Sequence, residues 1–396
     1  MADIETFDPA RLDAAFYENP YPVYAALREL DPVHRCPDGT YFLTRYADLD
    51  TIYRDRVHFS SDKKEAFASR FGTDTPLYAH HTTSLVFNDP PYHTRVRRII
   101  VGALTPRTLQ EMEPAVVSLV DRLLDQLAEK GEVDLIEDFA AAIPVEVIGN
   151  LLRVPHSDRG PLRAWSLAIL GALEPVLTPE RHAAGDRAVT EFTDYLRELI
   201  TQRRSRPLED DLLSRLIREE DLTQAELLHN CVFLLNAGHE TTTNLIGNGL
   251  YLLLTHADAL QRLRDAPEAI GTTIEECLRY ESPNQLGNRL VVERVTVGAV
   301  ELQPGAYLTL CIGAANRDPR EFSDPERFDG ARKPNRHLAF AAGAHACAGM
   351  SVARLEAQVA LLRMVHRFPN LQLAGVPVRG GRARFRGLRT LPAKVR

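Results

Sequence analysis

The sequence predicts a mainly α-helical protein with a small β region, built as one large domain over residues 1–396. Three observations predict it. Helix-period apolar spacing dominates from Tyr92 to His256 and returns at Met350–Phe368. Strand-like runs appear only toward the two ends, in the first fifty residues and after Gly287. No repeat, low-complexity tract or Ser/Gly linker divides the chain.

The elements follow in order. Pro20 and Pro22 open a helix over Val23–Glu29, since proline's fixed φ suits a first helical turn. A Pro37-Asp38-Gly39 turn joins a strand at Val33–Arg35 to one at Tyr41–Thr44. Ser60 to Thr83 is mixed and aperiodic and reads as a long loop with one short helix. Helical spacing runs from Tyr92 to about Gly131, interrupted at Thr105-Pro106. Asp134–Val154 reads as a helix perturbed at Pro144, and Leu162–Leu173 and Pro179–Arg204 as two more, separated by Glu174–Thr178. Thr223-Gln224-Ala225-Glu226 is a capping box that opens a long helix ending near His256. Leu290–Val297 and Ala306–Ile312 read as strands, with a turn at Gln303-Pro304-Gly305. A last helix covers Met350–Phe368, and the tail carries turn signals and a basic run from Arg379 to Arg389.

With 44% apolar residues the chain can bury a large core, and a net charge of −7 argues against a nucleic-acid or polybasic membrane partner. Met1 to Pro20 has no basic start followed by an apolar run, so no signal peptide is expected. No stretch approaches the ~20 apolar residues that span a bilayer. The expectation is a soluble, cytoplasmic protein. The five cysteines are odd in number and widely spaced, with no CxxC or Cys/His zinc spacing, which argues against a disulfide framework or a zinc site. Cys36, Cys231, Cys277 and Cys311 sit in apolar or strand-like segments and read as inert core residues.

Cys347 differs. The segment Phe340-Ala341-Ala342-Gly343-Ala344-His345-Ala346-Cys347-Ala348-Gly349 is small and flexible, then enters an amphipathic helix with Val352, Leu355, Val359 and Leu362. A cysteine at or just before a helix N-terminus is stabilised as a thiolate by the helix dipole and free N–H groups. Taken alone, the segment also fits a buried structural cysteine beside a glycine-rich turn. A cysteine nucleophile with His345 as base fits less well, because no oxyanion device accompanies it.

Three further segments carry chemistry-bearing residues. In the long helix, Ala237-Gly238-His239-Glu240-Thr241-Thr242-Thr243 lies mid-way, and Leu234, Ala237, Gly238, Thr241 and Leu245 share one face. A mid-helix glycine is unfavourable by ~1 kcal/mol against alanine, so a close neighbour or a local distortion is expected there. The plainer alternative has these threonines bonded back to helix carbonyls and Glu240 solvated. Glu276-Cys277-Leu278-Arg279 places acid and base at i and i+3, which by itself is an ordinary ion pair. Asp89-Pro90-Pro91-Tyr92-His93-Thr94-Arg95-Val96-Arg97-Arg98 puts His93 and Arg97 on one helix face, where two cations suit carboxylates, while Arg95 and Arg98 read as solvated.

Together these segments resemble the cytochrome P450 family of bacterial haem-thiolate monooxygenases. Phe340, Gly343, His345, Cys347 and Gly349 match the haem-binding loop, with Ala341 where the family usually has Gly. The long-helix stretch matches the oxygen groove, and Glu276 and Arg279 match the Glu-x-x-Arg motif. Asn316-Arg317-Asp318-Pro319 and Asp324-Pro325-Glu326-Arg327-Phe328 fit the downstream pattern, and the Asp89 segment fits apart from Tyr92, where Glu is common. The motifs run in family order, and the flanks are compatible over the whole chain.

The resemblance implies the P450 fold, with haem b between the long helix and the cysteine-bearing helix and dioxygen as co-substrate. It makes Cys347 the iron ligand, with Phe340 packed near the sulfur. It gives the haem propionates to His93, Arg97, Arg289 and His345. Ala237 and Gly238 let haem and oxygen approach, and Thr241 and Glu240 deliver protons. Glu276, Arg279 and Arg327 become a buried charge network with a structural role only. The implied substrate pocket draws on Phe67, Phe71, Leu85, Phe87, Leu234, Leu286 and Leu388. That mix suits a small aromatic acid or terpenoid-like compound, hydroxylated or O-demethylated. One of Lys63, Lys64, Arg70, His80 and His81 is a candidate to hold a substrate carboxylate. Electrons are expected from a separate ferredoxin and its NAD(P)H-dependent reductase, with Arg98 and Arg354 as a candidate docking patch. The alternatives are a peroxide-driven or non-oxygenating haem-thiolate enzyme and a non-catalytic haem-binding gas sensor.

Overall fold

The structure is a computed structural model that describes residues 4–207 and 211–396. It divides into two compact units. The first comprises Met1–Ser60, Glu113–Ala141 and Thr241–Arg396, and the second Ser61–Met112 and Ala142–Glu240.

The first unit holds every described strand. Its main sheet has five, in the order Val33–Arg35, Tyr41–Leu43, Tyr307–Cys311, Leu286–Val291 and Phe59–Ser60. Tyr41–Leu43 runs parallel to Tyr307–Cys311, and the other neighbours are antiparallel. Side chains alternate across a strand. Thus Leu43 joins a core with Leu49, Ile52, Val291, Leu308 and Leu310, while its neighbour Phe42 joins another with Phe7, Phe16, Tyr24 and Cys311. Leu286 belongs to that second core, so its side chain is committed to packing and the expectation that it lines a substrate pocket is corrected. The strand expected over Leu290–Val297 is two strands. Leu286–Val291 ends before Val295–Val297, which forms a hairpin with Val300–Leu302 around Gly298, a residue at φ +58° that only glycine adopts readily.

The helix expected over Asp134–Val154 also divides. Glu132–Asp134 is a strand paired with Pro392–Lys394, Ile136–Ala140 is a single π turn, and the helix is Ala142–Leu151. Pro144 does not perturb it, because in a first turn the missing N–H would have had no helical partner.

The described secondary-structure elements of the second unit are all helical. The segment expected as a loop, Ser60 to Thr83, contains two helices, Lys64–Phe71 and Pro76–Thr83. The first buries Phe67 and Phe71, one turn apart. The second starts with Pro76, and the Thr75 hydroxyl accepts from the Tyr78 amide at 3.2 Å. Gly72, at φ +79°, turns the chain between them.

The long helix is Gln224–Thr255. Its capping box forms as expected: the Thr223 amide donates to Glu226 Oε2 at 2.7 Å and the Glu226 amide to Thr223 Oγ1 at 3.2 Å. The cysteine-bearing helix is Met350–Arg367. Among the described residues no helix is long and apolar enough to cross a membrane.

Candidate active site

Cys36, Cys231, Cys277 and Cys311 are all buried, whereas Cys347 keeps intermediate exposure. Burial pushes the thiols of Cys231 and Cys311 up to about 12 and that of Cys36 to about 11, so these are inert at neutral pH. Cys347 lies just ahead of the helix Met350–Arg367, whose cap is Gly349. Its amide donates to the Phe340 carbonyl at 2.9 Å and closes the loop. Inside that loop Gly343 sits at φ +67°, and a side chain there would strike the Tyr53 carbonyl. Ala341 adopts φ +54°, so the left-handed turn forms with alanine in place of glycine.

Phe340 is held from behind. The Arg354 guanidinium lies 4.8 Å from its ring centre and is gripped by Glu275 through two bonds of 2.7 and 2.8 Å. Burial pushes the Glu275 carboxyl up, but hydrogen bonds from His337 and Arg354 and their charges outweigh it and hold it at about 2. Arg354, whose side chain is 31% exposed, thus braces the Phe340 ring.

The Glu276 and Arg279 side chains are fully buried and joined by two bonds of 2.7 Å. Arg279 also donates to the carbonyls of Asn316, Pro325 and Arg327. Glu276 accepts from the Asp329 amide, the Asn335 amide group and Arg332 Nε. The Arg327 side chain is exposed, and its bond to Arg279 is made by its carbonyl. The second cation is Arg332, which corrects the expectation that Arg327 supplies it. No spacing rule reaches from Glu276 to Arg332, so the sequence carried no signal for that pair.

Along the long helix, Leu234, His239, Glu240 and Thr242 are buried. Ala237 is exposed, and Gly238 and Thr241 are partly so. One stripe of an otherwise buried helix therefore presents small side chains and a hydroxyl to accessible space. The helix is unbroken at Gly238. A Cβ at Gly238 would lie 3.3 Å from Ile148 Cδ1, so the close neighbour, not a distortion, accounts for the glycine. Burial lowers His239 to about 4, helped by Arg163, so its imidazole is neutral at pH 7.

The four expected carboxylate-binding cations divide between the units. His93 is buried and Arg97 half-buried on the helix Tyr92–Ala103. Arg289, 8% exposed, lies on Leu286–Val291 with its guanidinium 5.0 Å from the Tyr53 ring centre, and His345 is half-buried in the cysteine loop. Within the first unit, a part-exposed cysteine at a helix start, a loop that excludes a side chain at Gly343, the buried Arg289 and the half-buried His345 are the donors that a flat, iron-bearing dicarboxylate needs. The residues fit haem b.

Of the expected pocket residues, Phe67, Phe71, Leu85, Leu234 and Leu388 are buried and Phe87 is partly exposed. Phe67 meets Phe87 edge to face at 4.9 Å and Phe71 at 5.4 Å. The sequence did not single out His229, whose ring centre is 5.6 Å from that of His80.

The family model described as Cytochrome P450 matches residues 167–376. The chain is 36% identical to the biotin biosynthesis cytochrome P450 of Bacillus subtilis, over 98% of this chain and 99% of that one. It is 36% identical to 6-deoxyerythronolide B hydroxylase of Saccharopolyspora erythraea, over 91% of each. Among solved structures it is similar to P450BioI in complex with an acyl carrier protein carrying hexadec-9Z-enoic acid, with TM-score 0.92, 35% identity, and 97% of this chain and 100% of that chain covered.

Proposed function

The chain belongs to the cytochrome P450 family and is a haem b monooxygenase that uses dioxygen, and from that premise we propose that Cys347 is its thiolate ligand and that it oxygenates a small amphiphilic organic molecule. The observation that carries the reading is the contrast between four buried, inert thiols and one part-exposed cysteine at the start of a helix. Bound haem, with a thiolate ligand, supplies the iron at which dioxygen is reduced and its O–O bond cleaved.

The chain's own residues hold, orient and move protons. His93, Arg97, Arg289 and His345 bind the propionates, as charge-assisted donors to carboxylates. Phe340, braced by Arg354 and Glu275, shields the sulfur from water. Glu240, 5% exposed, stores a proton, and the Thr241 hydroxyl passes one on from Oγ1. Glu276, Arg279 and Arg332 hold the segment 316–335 ahead of the cysteine loop and take no part in the chemistry. The two units act as one catalytic domain over 1–396.

Relatives are named for biotin biosynthesis, 6-deoxyerythronolide B and vitamin D(3), so membership alone does not narrow the substrate. Phe67, Phe71, Phe87, Leu85, Leu234 and Leu388 favour an apolar or aromatic body, and the reaction is hydroxylation or O-demethylation. Electrons come from a separate ferredoxin and its NAD(P)H-dependent reductase, in the cytoplasm. The test is turnover with NADH, ferredoxin and reductase, with Thr241→Ala and Glu240→Gln as variants. We expect product in the wild type and a loss of roughly 10²–10⁴-fold in each variant, the scale of a lost proton relay. Product formed only with added peroxide, and indifferent to both substitutions, would overturn the dioxygen reading.

A further inference from the structure

Two neighbouring acids on the helix Ile270–Tyr280 hold different partners. Glu276 takes Arg279 and Arg332, whereas Glu275 takes His337 and Arg354. The Arg354 fork spans the Glu275 carboxylate, with Nε donating to Oε1 at 2.7 Å and Nη2 to Oε2 at 2.8 Å. Paired bonds of this kind fix the plane of a guanidinium as well as its position. His337 completes the grip. Its Nδ1 accepts from the Ala339 amide at 3.2 Å, so Nε2 is the ring nitrogen that donates, to Glu275 Oε2 at 3.1 Å.

These side chains meet around one ring. The Arg354 guanidinium is 4.8 Å from the Phe340 ring centre, and the His337 ring centre is 6.0 Å from it. Phe340 is the residue whose carbonyl accepts from the Cys347 amide, so the cation lies over the residue that closes the cysteine loop. Arg354 also stands in the second turn of the helix that begins three residues after Cys347. Bonds to Glu275 raise its guanidinium above the usual range against the pull of burial, and the charges of Glu275 and Cys347 add to this. The attraction is mutual: a negative sulfur that favours the cation is itself favoured by it. At 31% side-chain exposure, solvent screens part of the effect without removing it.

We propose that Arg354, held by Glu275 and His337, is a positioning residue that sets the reduction potential of the haem bound to Cys347: its charge favours the ferrous state, and Glu275 limits that effect. This deepens the haem-thiolate reading and rests on it. Reduction adds one electron to the iron and moves no atom, so the unit gains one negative charge. A nearby cation favours that form and a nearby anion opposes it. Loss of the Arg354 charge and loss of the Glu275 charge must then act in opposite directions. A merely structural role, support of the Phe340 ring, would move both variants the same way.

The experiment is a potentiometric titration of the haem-loaded protein with dithionite and mediator dyes, which needs no protein partner. Arg354→Gln should lower the ferrous/ferric ratio at a fixed potential by roughly 3–10-fold, a fall of about 30–60 mV at 59 mV per tenfold for one electron. Arg354→Lys, which keeps the charge without the fork, should recover at least half of that fall. Glu275→Gln should lie above the wild type. Arg363, paired with Asp121 nine residues further along the same helix, is the control, and Arg363→Gln should stay within about 2-fold of the wild-type ratio. No fall in Arg354→Gln, a fall that lysine does not half recover, an equal fall in Arg363→Gln, or a Glu275→Gln potential at or below the wild type overturns the proposal. Should Arg354→Gln fail to take up haem, Glu275→Gln decides alone. A ferrous–CO spectrum on the same samples separates the two failures: a wild type without thiolate-type absorption sinks the haem-thiolate reading, whereas one with it and none of these shifts sinks only the role of Arg354.

Discussion

In the first unit Glu276, Glu281 and Arg279 are at most 4% exposed, and each is ion-paired. Glu281 meets Arg386 at 2.6 Å and Arg379 at 3.5 Å, and accepts from the Tyr21 hydroxyl at 2.9 Å. Burial pushes its carboxyl up, but Arg386, Arg379 and Arg317 overcome this and hold it at about 2. In the second unit His80 and His239 are buried just as deeply, yet desolvation keeps them neutral. These acids stay charged because cations pair with them, whereas these two histidines stay neutral because nothing offsets their desolvation. The first arrangement ties the helix Ile270–Tyr280 to the backbone at Asn316, Pro325, Arg327 and Asp329.

The comparison breaks most sharply at Arg279. Arg279→Ala leaves Glu276 buried with only Arg332 as cation, and the loss should be about 3–5 kcal/mol. Urea unfolding of the holoprotein measures it. A loss below about 1 kcal/mol, the range of a surface pair, would show that the network is not buried in solution.

Acidification separates the regions by pH. A histidine whose folded pKa is depressed stabilises the fold above its unfolded value, because below that value only the unfolded chain takes up the proton. For His229 and His239 that contribution is lost as pH falls from 6.5 toward about 4. For Glu275 and Glu281, also depressed, it is present above 4.5 and lost as pH falls toward about 2. Hydrogen exchange followed across pH should therefore show Gln224–Glu240 loosening before Ile270–Glu281. The reverse order would contradict the assignment.

Glu356 is the exception in the first unit. It is buried on the cysteine-bearing helix, and desolvation raises its carboxyl well above the usual range. An acid with a raised folded pKa lowers stability as pH climbs through 4.5, because only the unfolded chain ionises there. Glu356→Gln should flatten this dependence and stabilise the protein at pH 7 by about 1 kcal/mol, read as a higher Tm. The smallest effect belongs to Ala341. A left-handed alanine is strained by about 1–2 kcal/mol, part of which glycine returns as chain entropy, so Ala341→Gly should gain ~0.5–1 kcal/mol.

The cysteine loop, the capping box at Thr223 and the Glu276–Arg279 pair were legible because each is local: its spacing states its geometry. Arg332 was not, since it reaches Glu276 through the fold. The helices Lys64–Phe71 and Pro76–Thr83 are too short for periodicity to stand out, although Phe67/Phe71 one turn apart and Thr75-Pro76 were usable signals. Leu286 showed that an apolar residue near a site and one facing it are alike in sequence, since only strand register tells them apart.

The central claim is the bond between Cys347 and a haem iron. Its most direct test is the ferrous–CO absorption of purified holoprotein beside a haem-loaded Cys347→Ser variant. The thiolate-type band should be present in the wild type and absent from the variant, and an identical band in both would contradict the account.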